Sequence, residues 1–238
     1  MAKERLDKLL ASTGRWSRRE VKGLIRAGRV LVDGAPAGGG EEKADPAVCS
    51  IAVDGEALSL CAHTYIMLHK PAGVLSATED PRQRTVLDLL PPELRRRGLF
   101  PVGRLDRDTE GLLLLTDDGD LAHRLLSPRR HVDKLYYARL ERPLGEADRA
   151  AFAGGVTLED GTVCRPAGLE LLGDGREVMV TLHEGKFHQI KRMVASRGSA
   201  VCYLKRIAMG PLRLDETLKP GEYRPLTGTE VLKIGGKT

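Results

Sequence analysis

The chain has 238 residues, of which 41% are hydrophobic and 30% charged, a composition that is ordinary for a soluble globular protein. No apolar run approaches the roughly 20 residues that cross a bilayer, and the N-terminus lacks the apolar core of a signal peptide, so a membrane span is excluded. The net charge of +5 is uneven, because residues 1–30 contain nine Lys and Arg against three acidic residues while the rest is close to neutral. This asymmetry indicates a polyanionic partner.

The four cysteines are scattered along the chain without C-x-x-C spacing. This is neither the pattern of a zinc site nor that of a disulfide framework, and it is typical of a reducing compartment. We therefore predict a cytoplasmic protein that needs no metal and no other cofactor. We also expect the chain to be a monomer.

Residues 1–60 are predicted to form a small domain of helices and short strands. Leucines share one helical face in residues 4–13, and a second helix begins at the capping box that starts with Ser17. Strands at residues 29–32 and 51–53 each lead into an Asp-Gly turn. The sequence of these elements resembles the S4 domain, a small RNA-binding module.

The basic residues of this S4-like domain are the predicted RNA contacts. Arg18, Lys22 and Arg26 fall within an arc of about 80° on the second helix, apart from its apolar face. Charges of one sign repel one another unless a polyanion is near, so phosphate binding is favoured over a merely solvated surface. The residues assigned to RNA binding are Arg5, Arg15, Arg18, Arg19, Lys22, Arg26 and Arg29.

The second predicted domain, residues 61–238, opens with a strand at residues 65–68. Further along, a dense group of charged residues directly precedes the apolar run 112–115, which is followed by Asp-Gly. Four apolar residues before such a turn indicate a short buried strand. The polar segment 103–110 is therefore predicted to be a loop fixed against a buried strand, and catalytic groups concentrate on loops of this kind.

Beyond this loop, helices and locally paired strands are predicted to alternate. The helices are at residues 121–126, 147–153 and 187–196, the strands at 134–140 and 200–207, and two hairpins lie between 153 and 187. In the first of these strands Tyr136 and Tyr137 face opposite ways, and Tyr137 is predicted to lie in the core. Strands outnumber helices, so the fold class is α+β around a mostly antiparallel or mixed sheet.

The loop and two later segments carry a recognisable set of motifs. Gly103-Arg104-Leu105-Asp106, followed by Asp108-Thr109-Glu110-Gly111, resembles the signature of the pseudouridine synthases, in particular the branch that acts on ribosomal RNA. Lys134-Leu135-Tyr136 and the run from Lys186 to Met193 resemble two further motifs of that family, in the family's order. With the S4-like module in front, the resemblance spans nearly the whole chain. It implies a pseudouridine synthase domain that isomerises a uridine without a cofactor.

The resemblance also implies roles for individual residues. Asp106 would face the ribose, where it either attacks C1′ or removes the C2′ proton, and Lys191 would be the cation that keeps this carboxylate ionised in a closed pocket. Tyr136 would stack on the flipped-out uracil and help to move its C5 proton. The residues assigned to substrate binding are Arg104, Leu105 and Ile190.

Several alternatives remain at this point. The segment from Leu204 to Gly210 resembles synthases of small-subunit (16S) rRNA most, but large-subunit (23S) relatives share the layout. Asp106 and Asp108 could instead be the paired carboxylates of a hydrolase that releases free base. A non-catalytic S4-type ribosome assembly factor is disfavoured, because the three catalytic residues are intact. The preferred prediction is isomerisation of a specific uridine in 16S rRNA, either free or in a ribosomal subunit assembly intermediate.

Overall fold

The computed structural model describes residues 3–45, 48–58, 63–127 and 132–236. The chain divides into two compact units. The first contains the residues up to Thr64 and the segment Leu90–Leu99, and the second contains Tyr65–Leu89 and Phe100–Gly236. Residues 59–62 lie outside the described residues, so the predicted domains 1–60 and 61–238 stay a prediction.

The first unit contains three helices and six short strands among its described residues. They are β1 (Glu4–Arg5), α1 (Leu6–Ser12), α2 (Arg18–Arg26), β2 (Val30–Val32), β3 (Ala35–Pro36), β4 (Lys43–Ala44), β5 (Ile51–Val53), β6 (Glu56–Leu58) and α3 (Pro92–Arg95). Strands β3, β2, β5 and β6 form an antiparallel sheet in that order, and β1 pairs with β4. Helix α1 starts later than predicted because Glu4 and Arg5 pair with β4.

The predicted capping box of α2 is present. The Ser17 hydroxyl accepts a hydrogen bond from the Glu20 amide, and the Glu20 carboxylate accepts one from the Ser17 amide. The apolar faces of α1 and α2 pack with the strands in one core, whose buried members are Leu6, Leu9, Leu10, Val21, Leu24, Ile25, Val30, Ala44, Ile51 and Val53. Burial of these positions leaves the basic face of α2 exposed.

The second unit is built on a mixed sheet. Its elements are β7 (Tyr65–Lys70), a 3₁₀ turn (Val86–Leu89), β8 (Phe100–Pro101), β9 (Glu110–Thr116), α4 (Gly119–Leu126), β10 (Lys134–Leu140), α5 (Glu146–Gly154), β11 (Gly168–Leu172), β12 (Glu177–Leu182), α6 (Gln189–Ala195), β13 (Val201–Met209), β14 (Leu212–Arg213), β15 (Tyr223–Pro225) and α7 (Gly228–Lys233). The strand order is β11-β12-β10-β13-β9-β7-β15, with β14 beside β13 and β8 beside β9. The predicted α+β class with a mixed sheet is confirmed.

Strand β9 lies in the middle of this sheet. It pairs antiparallel with β7 and parallel with β13, and its leucines 112–115 are fully buried, as the apolar run predicted. Gly111 is required at the start of the parallel pairing, since a Cβ at this position would overlap the backbone of Arg206. None of the helices in the part of the chain that the structure describes is long and apolar enough to cross a membrane.

Candidate active site

A pocket in the second unit collects all six residues that the motifs singled out. They come from three separate segments: the loop between β8 and β9, the strand β10 and the helix α6. The pocket is lined by Arg104, Leu105, Asp106, Tyr136, Ile190 and Lys191, among others. Arg104 is exposed, whereas Leu105 and Ile190 are buried. The carboxylate of Asp106 on the loop therefore shares a pocket with the aromatic ring of Tyr136 and the ammonium of Lys191.

Two side chains from an earlier part of the chain fix the loop. The hydroxyl of Ser76 donates to the carbonyl oxygen of Leu105 at 2.8 Å and accepts from the amide of Leu105 at 3.1 Å. The ammonium of Lys70 donates to the carbonyl oxygens of Arg107 at 3.2 Å and Thr109 at 2.9 Å. These contacts hold the backbone on both sides of Asp106, so its carboxylate is presented by a fixed loop.

Lys70 is the most deeply buried cation near this pocket, with none of its surface exposed. Burial lowers the pKa of Lys70 to about 8, although the carboxylates of Asp108, Glu110 and Asp106 act in the opposite direction. Lys70-Pro71-Ala72-Gly73 resembles the Lys-Pro-x-Gly motif that packs beside the active site in the pseudouridine synthases, and it is equally consistent with a strand followed by a turn. The role of the ammonium as a donor to loop carbonyl oxygens was not predicted, because no periodicity reveals it.

Lys191 lies between two carboxylates of the loop. Its Nζ is 3.2 Å from an oxygen of Asp106 and 2.5 Å from an oxygen of Asp108. Burial alone would lower the pKa of Lys191, but its hydrogen bonds to Asp108 and Asp106 outweigh burial and raise the pKa above its ordinary value. The same hydrogen bond lowers the pKa of Asp108. One lysine ammonium therefore lies within salt-bridge distance of two carboxylates of the loop.

His188 also lies near Asp106, and the sequence prediction missed it. Its Nε2 is 3.7 Å from Asp106 Oδ1, and the ring of the exposed Phe187 stacks on the imidazole with centroids 3.8 Å apart. The predicted helix 187–196 begins only at Gln189, because His188 adopts a left-handed conformation with φ 48°. A left-handed backbone is uncommon in a residue other than glycine. Because of it, the side chain of His188 does not follow the helical spacing of α6.

Tyr136 projects from β10, where the bounds 134–140 are as predicted. Its side chain is 8% exposed and lies opposite Arg206 of β13 in the strand register. The prediction that Tyr137 is a core residue is wrong. Tyr137 is only partly buried and meets Tyr203 edge to face, with ring centroids 6.1 Å apart.

The seven predicted RNA contacts of the first unit fall into two groups. Three of them already pair with carboxylates of the same unit, the pairs being Arg5–Asp7 at 2.9 Å, Arg15–Glu56 at 3.0 Å and Arg29–Asp54 at 2.6 Å. The other four are exposed and form no ion pair with any described residue, namely Arg18, Arg19, Lys22 and Arg26. The free cations are thus concentrated on α2, and all seven assignments stay predictions.

No group of three or more His, Cys, Asp or Glu in the described ranges is arranged to hold a metal ion. Comparison with known proteins gives a consistent picture. The sequence profile of the RNA pseudouridylate synthases matches residues 64–196, and that of the S4 domain matches residues 4–40. The first match takes in the loop, β10 and α6, and the second takes in α1 and α2.

Individual relatives match along nearly their whole length. The chain is 50% identical to the uncharacterized RNA pseudouridine synthase YtzG of Bacillus subtilis, covering 95% of this chain and 96% of that protein. It is 41% identical to the ribosomal small subunit pseudouridine synthase A of Yersinia pestis, covering 97% and 98%. A crystal structure of a pseudouridylate synthase superposes with a TM-score of 0.69 at 38% identity, covering 97% and 99% of the two chains.

Proposed function

The chain belongs to the RNA pseudouridylate synthase family, and from that premise we propose that it isomerises a specific uridine of small-subunit ribosomal RNA to pseudouridine. The observation that carries the proposal is the convergence of Asp106, Lys191 and Tyr136 on one pocket. The reaction breaks the N1–C1′ bond, turns the uracil and joins C5 to C1′. Product and substrate have the same atoms, so no co-reactant is needed.

The geometry suits the charges that this reaction creates. Breaking the glycosidic bond develops positive charge on the sugar, which an ionised carboxylate stabilises or captures. Lys191 places a positive charge 3.2 Å from the carboxylate of Asp106, and the loop contacts limit the movement of Asp106. Tyr136 offers a ring face on which a flipped base can stack, and Ile190 and Leu105 supply apolar walls.

The hydrolase alternative fits the site less well. A hydrolase with paired carboxylates needs one of them to be protonated so that it can donate to the leaving group. Asp108 is instead ion-paired with Lys191, which holds the pKa of Asp108 below its ordinary range, and its side chain is 72% exposed. It therefore remains an ionised partner of Lys191 and is unsuited to the role of general acid.

The choice of ribosomal small subunit rests on the relatives. The proteins that carry this substrate in their names align over 97% of the chain at 41% identity in Yersinia pestis and 42% in Vibrio cholerae. We extend that substrate to this chain, either as free rRNA or as an assembly intermediate, with the exposed cations of α2 contacting phosphates. The predicted cytoplasmic location and monomeric state belong to the same proposal.

The test is pseudouridine mapping by carbodiimide modification and primer extension on 16S and 23S rRNA from a strain that lacks the gene. We expect one 16S stop to disappear and to return when the wild-type gene is supplied. Loss of a 23S stop would transfer the activity to the large subunit. An unchanged pattern in both rRNAs would contradict the proposal, and release of free uracil by the purified protein would favour the hydrolase.

A further inference from the structure

A second cleft, of about 500 Å³, adjoins the candidate active-site pocket and shares Arg104, Tyr136, Gly185 and Lys186 with it. Its described lining is strongly basic. The cations are Arg104, Lys134, Arg165, Lys186 and Arg206, and Glu184 is the one carboxylate among the described lining residues. A cleft with this charge attracts an anion.

The main evidence for an anion site is the buried guanidinium of Arg206. Its side chain is 2% exposed, which is unusual for a guanidinium without a countercharge. Its Nε donates to the carbonyl oxygen of Leu112 at 2.8 Å, while its Nη2 is buried and has no hydrogen-bond partner among the described residues. Buried donors are almost always satisfied, so an unpaired guanidinium nitrogen in the wall of a cleft indicates a missing acceptor.

The neighbouring groups do not supply that acceptor. Lys134 is a second cation, whose Nζ donates to the carbonyl oxygen of Val132 at 3.1 Å. Burial lowers the pKa of Lys134, and the charge of Arg206 lowers it further. Glu184 accepts from the side-chain amide of Gln189 at 2.8 Å and from the backbone amide of Arg165 at 2.9 Å. The charges of these two partly or fully buried cations thus repel each other, and the carboxylate of Asp133 acts in the opposite direction on Lys134.

The position of Arg206 identifies the class of anion. Arg206 lies directly opposite Tyr136 in the register of β10 and β13, so the guanidinium is beside the ring on which the target base would stack. Every nucleotide in RNA is flanked by two phosphodiesters within one backbone step of its base. A guanidinium recognises such a group through parallel N–H donors, and Lys134 can add a point charge.

We propose that Arg206 and Lys134 form a phosphate-binding subsite that grips one phosphodiester adjacent to the target uridine. This subsite rests on the proposed function. It is distinct from the pocket walls around Asp106, and from the phosphate contacts predicted for α2. Its role would be to hold the backbone while the base is turned out of its stack, so that the cost of unstacking is offset by a contact made only with the extruded nucleotide.

The experiment uses the full chain and a synthetic RNA hairpin that carries the uridine identified by mapping. In a series of hairpins, each phosphodiester near that uridine is replaced in turn by an uncharged methylphosphonate. KM and kcat are measured for the wild type and for Arg206→Met, Arg206→Lys and Lys134→Met. Arg213→Met is the matched control, because Arg213 is exposed on the adjoining strand β14 and lines neither cavity.

We expect one methylphosphonate to raise KM for the wild type about ten- to a hundredfold. The same replacement should have little further effect in Arg206→Met and a reduced effect in Lys134→Met, since the contact is already lost or weakened. Arg206→Lys should recover part of the sensitivity, and Arg213→Met should behave as the wild type. A general loss of structure would not remove the effect of a methylphosphonate at one position only. If Arg206→Met does not fold, Lys134→Met provides the test.

The outcomes separate the two proposals. If the wild type forms pseudouridine in the unmodified hairpin but each methylphosphonate affects the wild type and the cleft variants equally, the subsite is wrong and the proposed function stands. If the variants lose affinity equally for every hairpin, Arg206 has only a structural role and the subsite is again wrong. If the wild type forms no pseudouridine in any hairpin, both proposals are overturned.

Discussion

The exposed face of α2 gives a prediction whose size follows from the structure. Arg18, Lys22 and Arg26 have no ion-pair partner among the described residues, so each can release a full counterion when it meets a phosphate. For single-stranded RNA each such contact contributes about 0.7 to the dependence of log K on log salt. Replacing all three residues by Gln should therefore flatten the slope by about 2 units.

A matched triple variant provides the control. Arg5, Arg15 and Arg29 carry the same charge in the same unit, but each already has a carboxylate within 3.0 Å. An ion-paired guanidinium gains less from a phosphate, because it must give up or share its partner. Changing these three residues to Gln should alter the salt slope by less than about 1 unit, although the protein has the same net charge as the α2 variant.

The assay is RNA binding over a potassium chloride series, followed by single-turnover kinetics at saturating RNA. The α2 variant should show a weaker salt dependence and a higher KM with an almost unchanged kcat, as expected for loss of binding that is equal in the ground and transition states. Equal flattening in both triple variants would refute the reasoning from ion pairs. An unchanged slope in the α2 variant would refute the assignment of this face to RNA.

Three further predictions concern the second unit. Asp106→Asn keeps the shape of the side chain but not its charge, so tritium release from RNA labelled at uracil C5 should be abolished while RNA affinity changes less than about twofold. Lys191→Met removes the cation shared by two carboxylates and should lower the single-turnover rate about a hundredfold, whereas Asp108→Asn removes only an exposed partner and should cost about tenfold or less. Arg224→Met should lower the free energy of unfolding at neutral pH by about 2 kcal/mol, because Arg224 is the main contributor, with Thr227, to lowering the pKa of Glu230 to about 2.

The sign of the pH effect follows from the lowered pKa. The stabilisation from Glu230 is complete above its ordinary value of 4.5 and is lost as the pH falls through about 2. Thermal unfolding of Arg224→Met should therefore depend less on pH in this window than that of the wild type, and parallel curves would contradict the prediction. Measurable turnover by Asp106→Asn, or a larger loss in Asp108→Asn than in Lys191→Met, would contradict the roles given to these residues.

Local patterns in the sequence were sufficient for most of the secondary structure. The capping box at Ser17 depends on residues three apart, the strand 134–140 on an unbroken β-type run, and the burial of residues 112–115 on consecutive leucines. The pocket residues were identified by motifs, and the structure places all six of them around one pocket. Each of these features is encoded within a few adjacent residues.

The features that were missed depend on partners far away in the chain. The ion pair of Arg29 was not predicted, because its partner Asp54 lies across a strand pair, where it accepts two hydrogen bonds from Arg29. Lys70 follows the predicted strand 65–68, and the acceptors of its ammonium are carbonyl oxygens of the loop 37 and 39 residues later. His188 continues an apparent helical pattern, and only the left-handed backbone separates it from α6. Side-chain contacts of this kind have no periodicity in the sequence.

The parallel pairing of β9 with β13 also determines the order in which this protein can assemble. The contact between Arg206 and Leu112 joins residues 94 positions apart, and such long-range pairings form late because a large loop must close first. During synthesis β9 can pair with β7 and β8, but its parallel contact at Glu110 and Gly111 forms only after β13 has left the ribosome. A nascent chain that stalls before Val201 therefore leaves this part of the strand edge unpaired, where it can associate with another chain, and lacks the cleft formed by Arg206.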